Sequence, residues 1–254
     1  MFIQFINYTV EVRHDSVTGW ERRDMENMGD ALIIKEYKAY LEKKEFACIA
    51  AKAALGKQQI QCFVADHLAC PKDDRDILQF LYSFVDGYRQ SDELYHSAAV
   101  IFRGPDLHNE TMFDELLWQR LQSLSDIDSR TYSYDKRVAA DPASGEFSFS
   151  LKEEAFYIVG LHPASSRLTR QFSYPTLVFN PHKQFEQLRE TAKYDSIKGV
   201  VRKRDVAYSG SVNPMLDDFG KVSEAFQYSG RKYDESWECP LKINHAGVIH
   251  HTAS

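Results

Sequence analysis

The sequence predicts a single-domain α+β fold in which helices flank a mostly antiparallel sheet. Three observations support this prediction. The 254 residues suffice for one sizeable core, 43% of them are apolar, and segments of helical and of strand periodicity are mixed along the chain without an internal repeat. We expect an N-terminal extension (1–30), one domain (31–241) and a flexible tail (242–254).

The first half of the domain is predicted to mix helices and strands. Apolar residues at helical spacing predict one or two helices between Ala31 and Leu55, with Gly56 as the stop. The run QIQCFVAD alternates as a strand does, and Pro71 precedes the amphipathic helix ILQFLYSFVDGYRQ. The β-favouring run SAAVIFRGP then predicts a strand, and MFDELLWQRLQSL predicts a helix.

The second half is predicted to supply the antiparallel part of the sheet. The stretch FSFSLKEEAFYIVGL predicts a hairpin with a tight connection over Lys152 to Glu154. TLVFNP predicts a third strand, and a helix is expected to begin at Pro181. Outside the domain, DSVTGWERRD has the composition of a turn or linker, and the His-rich ending NHAGVIHHTAS is expected to fray.

Charge and composition argue against several protein classes. A net charge of -6 gives no overall electrostatic reason to bind nucleic acid or an anionic membrane. The start reaches Glu11, Arg13 and His14 too early for a secretory hydrophobic region, and no run approaches the roughly 20 apolar residues of a membrane helix. The four cysteines lie far apart, so we expect free thiols in a cytoplasmic protein.

The segment GLHPASSRLTRQF places a histidine at a strand end and two arginines in the following loop. A strand end holds a side chain rigidly, so His162 is a candidate metal ligand. Arg167 and Arg170 suit the carboxylates of a porphyrin or another anion. In the alternative interpretation, His162 hydrogen-bonds its own loop and the arginines are solvated or paired with acidic residues.

A second histidine opens the segment HKQFEQLR, where His182, Phe185 and Arg189 share one helical face. The helix dipole disfavours a cation near the helix N-terminus, and neutral imidazole is the metal-binding form. His182 is therefore an equally credible ligand. The alternative is a capping histidine above a buried Phe185.

The C-terminal stretch is rich in acidic, aromatic and turn-forming residues. Loops and short helices there can display Asp217, Asp218, Glu224 and Tyr228 around a pocket. Carboxylates beside aromatic rings suit a guanidinium, whereas a solvated loop is the alternative. Cys239 is a less favoured thiolate ligand, because the Gly-containing cysteine loop of cytochromes P450 is missing.

Eight blocks together carry a resemblance to a known family: FACIAAKAAL, FDELLWQRLQSL, FYIVGLHPASSRLTRQF, TLVFNPHKQFEQLR, IKGVVRKRD, GSVNPMLDDFG, SEAFQYSGR and WECP. In order and density they resemble the YqcI/YcgG family from about residue 46 to residue 240. Members of that family include haem proteins that N-hydroxylate guanidine groups.

The resemblance implies a haem-dependent N-monooxygenase that uses haem b (iron protoporphyrin IX) and O2 on a small guanidine or amine substrate such as L-arginine. It implies iron held by His162 or His182, with His162 slightly favoured. The implied propionate partners are Arg167, Arg170, Arg202 and Arg204, and the implied substrate-contacting residues are Asp217, Asp218, Glu224 and Tyr228. Electrons are expected from an external donor or reductase, because the chain has no flavin or nicotinamide fingerprint. A homodimer is compatible with this interpretation.

Other interpretations stay open. A haem-binding protein that stores haem or senses haem or a gas would share the histidines and arginines but need no organised acidic pocket. A haem-free interaction protein would use the same polar blocks for packing and turns. A metal hydrolase is disfavoured, because the histidines lack close ligand spacing.

Overall fold

The computed structural model describes residues 19–245 except 45, 47, 191–198, 201, 205, 208–219 and 235, and gives only the backbone of 19–26 and 190. In this part of the chain, one sheet contains five strands: β1 (Ile60–His67), β2 (Ser97–Gly104), β3 (Phe149–Leu151), β4 (Glu154–Leu161) and β5 (Thr176–Pro181). Their order is β1-β2-β5-β4-β3, with β1 and β2 parallel and the other pairs antiparallel. The predicted α+β fold with a mostly antiparallel sheet is confirmed.

Helices surround this sheet: α1 (Gly19–Glu42), α2 (Ile49–Gly56), α3 (Asp74–Arg89), α4 (Glu110–Asp128), α5 (His182–Glu190) and α6 (Ala225–Tyr228). The predicted strands and helices of the domain are all found. Of the described helices, none combines the length and the apolar character that crossing a membrane requires.

The start of α1 corrects one prediction. The helix begins at Gly19, so residues 19–24, which were predicted as turn or linker, are helical. The residues after Gly19, in the run WERRDMENM, include several good helix formers such as Glu, Arg and Met. These residues favour a helix, whereas the glycine and the polar composition had suggested a turn or linker.

The sheet is covered on both faces. The first core cluster joins α3 and α4 to one face, and the second joins α1 and α2 to the other. Successive side chains of β2 belong to different clusters, because side chains alternate between the two faces of a strand. Val100 belongs to the first cluster, and Ala99 and Ile101 belong to the second. A buried sheet of this kind gives its strand ends fixed positions, which matters for the histidines that follow β4 and β5.

The hairpin between β3 and β4 turns at Lys152 and Glu153, which have φ angles of 52° and 56°. Positive φ at both central residues is typical of the two-residue turns that join antiparallel strands. The Lys152 amide donates to Asp128 Oδ1 (3.1 Å), and Arg89 Nη2 donates to the carbonyls of Lys152 (2.8 Å) and Glu153 (3.0 Å). These bonds stabilise a backbone conformation that residues with a Cβ atom rarely adopt.

The beginning of the expected flexible tail packs on the domain. Ile243 and His245 are buried, His245 Nε2 lies 3.2 Å from Ser125 Oγ, and its Nδ1 lies 3.1 Å from the carbonyl of Tyr132. Burial lowers the pKa of His245, which favours the neutral ring. Residues 242–245 of the expected tail therefore pack on the domain, and residues 246–254 lie outside the described part.

Candidate functional site

The two candidate ligand histidines lie at opposite ends of one strand pair. His162 directly follows β4, and His182 directly follows β5. Because β4 and β5 are antiparallel, with Phe156 opposite Pro181, the two histidines are separated by about seven residues along β4. At the usual strand rise this is roughly 20 Å. One iron atom cannot be bound by both histidines, so the sequence motifs define two separate clusters.

The first cluster, which we call the His182 cluster, consists of His182, Ser148 and Glu224, all of them buried. The Ser148 hydroxyl donates to Glu224 Oε2 (2.8 Å), and His182 Nδ1 lies 3.4 Å from Ser148 Oγ and 3.5 Å from Glu224 Oε1. A carboxylate and a hydroxyl oxygen beside Nδ1 favour the tautomer that carries its proton there. The other ring nitrogen, Nε2, lies 3.7 Å from Glu186 Oε1, one helical turn further along α5.

Three different segments bring this cluster together. Ser148 directly precedes β3, His182 opens α5, and Glu224 directly precedes α6. Tyr228 holds α6 in place, because its hydroxyl accepts from the Phe149 amide (3.0 Å) and lies within donating distance of the Phe156 carbonyl (3.4 Å). The position of Glu224 therefore depends on the packing of α6 against the sheet.

The surroundings of Glu224 and Tyr228 differ from those expected from the sequence. Both were expected to be displayed around a pocket, yet both are buried and hydrogen-bonded inside the protein. Burial raises the pKa of Tyr228 well above its usual value, so the hydroxyl stays protonated. In this structure Glu224 faces His182 and Tyr228 anchors α6, and their role toward a substrate stays a prediction.

The second cluster, which we call the His162 cluster, surrounds the end of β4. The His162 ring stacks on Phe113, with centroids 4.1 Å apart and planes 20° apart, and its exposed fraction is 1%. Burial and the nearby Arg170 cation lower the pKa of His162 to about 4, so the ring is neutral at ordinary pH. Among the described residues, its Nδ1 has no hydrogen-bond partner. A buried imidazole nitrogen of this kind is unusual and suits a ligand role.

The arginines of the following loop point into the protein. Arg170 Nη1 donates to the carbonyls of Tyr228 (3.0 Å) and Gly160 (3.4 Å), and Arg167 is also nearly buried. A Cβ atom on Gly230, where φ is +83°, would lie 2.6 Å from Arg170 Cδ. Arg170 therefore connects the loop to the end of α6, and its role as a propionate partner stays a prediction. The same role of Arg167 also stays a prediction.

The remaining predicted residues fall near or beyond the limits of the described chain. Asp217 and Asp218 lie outside the described residues. Arg202 and Arg204 belong to a short helical stretch, where Arg202 is partly buried and Arg204 is exposed. Their role as propionate partners stays a prediction.

The thiolate alternative loses support from the position of Cys239. This side chain is partly buried and packs against the main core. Burial raises its pKa to about 12, so the protonated thiol is favoured over the thiolate that binds iron.

Ser148, which lies between His182 and Glu224, was not predicted from the sequence. A lone serine beside a strand has no motif, and only the pairing of β3 with β4 and the packing of α6 reveal its position.

For sites built from several side chains, the described residues contain no group of three or more His, Cys, Asp or Glu that could hold a metal ion. A haem iron needs only one protein ligand.

Comparisons with known proteins agree on one family. The model of the YqcI/YcgG family matches residues 37–242, which is most of the chain. The uncharacterized protein YqcI of Bacillus subtilis (strain 168) is 25% identical over 214 residues, covering 82% of this chain and 80% of its own length. No solved structure matches. The matched region contains both histidine clusters, and the chain belongs to the YqcI/YcgG family.

Proposed function

We propose that this protein is a haem-dependent N-monooxygenase that hydroxylates a guanidine or amine nitrogen of a small substrate such as L-arginine. The family resemblance described above suggests haem and this chemistry. The structural observation that carries the proposal is the buried contact between His182 Nδ1 and the Glu224 carboxylate, at 3.5 Å.

The residues of the His182 cluster fit an iron ligand and its support. Histidines that bind metals commonly donate their second ring N–H to a carboxylate, which fixes the tautomer and raises the basicity of the ligating nitrogen. Glu224 and Ser148 stand in that relation to His182. His182 is therefore preferred over His162 as the residue that would hold haem iron, which reverses the small preference drawn from the sequence.

The chain has distinct tasks around such a cofactor. Bound haem would supply the activation of O2. His182 would hold the iron, Glu224 would keep the proton on Nδ1, and Ser148 would fix the angle between them. Hydroxylation places one oxygen atom on the substrate nitrogen and releases the other as water, so two electrons and two protons must come from an external donor.

The first experiment measures haem binding. The protein is purified with haem supplied, and ferric and ferrous-CO spectra are recorded for the wild type and for His182→Ala, His162→Ala and Glu224→Gln. We expect a Soret band in the wild type, its loss or a large shift in His182→Ala, and retention in His162→Ala. Glu224→Gln should keep haem but show a higher reduction potential, because an amide accepts the Nδ1 proton more weakly than a carboxylate does.

The outcomes test two points separately: which histidine holds the iron, and whether the protein binds haem. A Soret band that is lost only in His162→Ala would move the iron to the His162 cluster, and a band unchanged in both variants would exclude both histidines. A protein that stays colourless after haem supplementation, with a circular dichroism spectrum of a folded chain, would exclude haem. Incubation with L-arginine, reductant and O2 then tests the substrate, with hydroxyarginine measured by mass spectrometry.

A second function is favoured by one observation. Glu224 and Tyr228, two of the residues predicted to surround a substrate pocket, are buried. A protein that binds haem in order to store it or to sense haem or a gas needs no such pocket. Substrate-dependent O2 consumption would support the oxygenase, and haem binding without consumption on a panel of guanidines and amines would support the sensor.

A further inference from the structure

A cleft lies where the C-terminal end of α3, the hairpin turn between β3 and β4, and the first turns of α5 meet. Its volume is about 430 Å³, within the range of roughly 300–1,000 Å³ that is typical of small-molecule sites. Its lining is polar and carries both signs of charge, and it includes neither His162 nor His182. The proposed function therefore leaves this cleft without a role.

The hydroxyl of Tyr88 on the wall of this cleft indicates a ligand. The residue is only 7% exposed, and its ring is fixed by stacking on Phe84 (centroids 6.4 Å apart) and by an edge contact with His96 (5.4 Å). Burial and the nearby Glu154 carboxylate raise the pKa of Tyr88, so the hydroxyl stays protonated and can donate. No described residue forms a hydrogen bond with it, although a buried phenol normally has such a partner.

Two guanidinium groups lie side by side in the same cleft. Arg89 Nε and Arg137 Nη2 contact the two oxygens of the buried Glu154 carboxylate, at 3.3 and 2.8 Å. The other bonds of Arg89 go to backbone carbonyls, and those of Arg137 go to Asp135. Among the described residues neither Nη1 group has a partner, and 39% and 40% of the two side chains are exposed. Adjacent arginines with unused N–H groups suit a carboxylate or a phosphate.

The charge balance of the cleft distinguishes between these two anions. Lys183, Asp92 and Glu153 are exposed in the lining, and none of them forms an ion pair with another described residue. Glu93 is paired with Lys57, which lies outside the lining. Positive and negative charges nearly cancel, so the acidic residues oppose a phosphate with two negative charges. A ligand with one carboxylate and one ammonium group has partners for both.

We propose that this cleft binds a free α-amino acid. The carboxylate of the ligand accepts hydrogen bonds from Arg89, Arg137 and Tyr88, and Lys183 supplies a further positive charge. The ammonium group contacts Glu153, which is adjacent to these donors because its carbonyl accepts from Arg89 Nη2 (3.0 Å). The cleft contains neither candidate iron ligand, so the proposal does not rest on the proposed function and is tested without haem.

The test screens each standard L-amino acid against the full-length protein by the shift in melting temperature. Calorimetry then measures the affinity of the amino acid that gives the largest shift, and we expect saturable one-to-one binding. The N-acetyl derivative of this amino acid lacks the ammonium charge, and its methyl ester lacks the carboxylate. Each should bind at least roughly tenfold more weakly, because one charged partner is lost.

Two variants remove donors without removing a contact inside the protein. Tyr88→Phe deletes a hydroxyl that bonds to no described residue, and Lys183→Gln removes an exposed charge. Each should weaken binding by roughly tenfold and leave the melting temperature of the free protein unchanged. The matched controls Tyr174→Phe and Lys232→Gln make the same chemical changes outside the cleft and should change the affinity less than twofold.

Three results would overturn the proposal. They are the absence of saturable binding by any standard amino acid, equal affinity for the amino acid and its N-acetyl derivative, and equal affinities of the two cleft variants and their controls. The second result would mean that the cleft binds an anion without regard to the ammonium group. The third would place the amino acid elsewhere on the protein.

Discussion

His162 is a buried base with a cationic neighbour, and this combination has a consequence for stability. The unfolded chain binds a proton on histidine near pH 6.5, whereas the folded protein has a His162 pKa of about 4. Between these two values the unfolded state binds more protons than the folded state. Stability from this residue is therefore complete above about pH 6.5 and decreases as the pH falls toward 4.

We expect the variant His162→Leu to lose less stability on acidification than the wild type. Between pH 7 and pH 4.5 the wild type should lose about 2 kcal/mol of unfolding free energy through this histidine alone. Urea unfolding at the two pH values measures the difference, and the exposed His108→Leu serves as control. An identical acid-induced loss in His162→Leu and the wild type would show that His162 does not contribute.

At the residue scale, the sequence identified which histidines are buried in the interior more reliably than it identified what each residue does. His162 and His182 were singled out, and both are buried. The role of Glu224 could not be inferred, because its direction depends on the way Tyr228 packs α6 against β3 and β4. Non-local contacts of this kind leave no pattern along the chain.

At the scale of elements, one buried ion pair joins α4 to α3. Arg120 contacts Asp74, and both side chains are almost completely buried. Arg120 Nη2 also donates to the carbonyls of Leu68 (2.6 Å) and Cys70 (2.6 Å), so the same guanidinium holds the connection between β1 and α3. Removal of the arginine would leave an uncompensated carboxylate and unpaired carbonyls in the interior.

We expect Arg120→Met to lower the free energy of unfolding by about 3–5 kcal/mol. The exposed Arg130→Met, two residues after the end of the same helix, should change it by no more than about 0.5 kcal/mol. Adding Asp74→Asn to Arg120→Met should recover part of the loss, since no charge then remains buried. Chemical denaturation of the three variants measures these values, and a loss below about 1 kcal/mol for Arg120→Met would contradict the assignment.

The helices and strands were predicted from the sequence more accurately than the contacts between distant residues. Alternation in QIQCFVAD and SAAVIFRGP and helical spacing in ILQFLYSFVDGYRQ are local patterns, and the structure contains β1, β2 and α3 at these positions. The start of α1 was missed, because Gly19 and the charged residues after it also fit a linker. Here the propensity of Glu, Arg and Met for helices outweighs the glycine.

At the scale of the whole molecule, the C-terminal segment completes the core. Leu241 and Ile243 belong to the cluster that α3 and α4 form with the sheet, although they are more than 100 residues from these helices in sequence. Gln122 of α4 also exchanges hydrogen bonds with the backbone of Lys242, at 2.7 and 2.8 Å. The segment is thus part of the domain and not an appendage.

We expect Ile243→Ala to lower the free energy of unfolding by roughly 2–5 kcal/mol, because it removes buried methyl and methylene groups. The neighbouring Lys242→Ala is a close control, since that side chain is exposed and its backbone bonds persist. Thermal or urea unfolding distinguishes the two. Equal stability of both variants would mean that residues 241–245 do not pack on the domain in solution.

The separation of the two histidines belongs to this scale as well. The sequence motifs suggested one site with histidine, arginines and carboxylates together. The antiparallel register of β4 and β5 instead places His162 and its arginine loop at the opposite end of the strand pair from His182. Strand order and direction are properties of the assembled sheet, so no motif along the chain could have indicated this division.

The two-residue turn at Lys152 and Glu153 determines more than the shape of a hairpin. It sets the register in which Phe149 lies opposite Phe156, and thereby the direction of the residue just before β3. Successive side chains of a strand point to opposite faces. One residue inserted in this turn would therefore shift β3 by one position and place an apolar neighbour of Ser148 beside Glu224. Relatives that share the His182 cluster should therefore conserve the length of this turn more strictly than its composition.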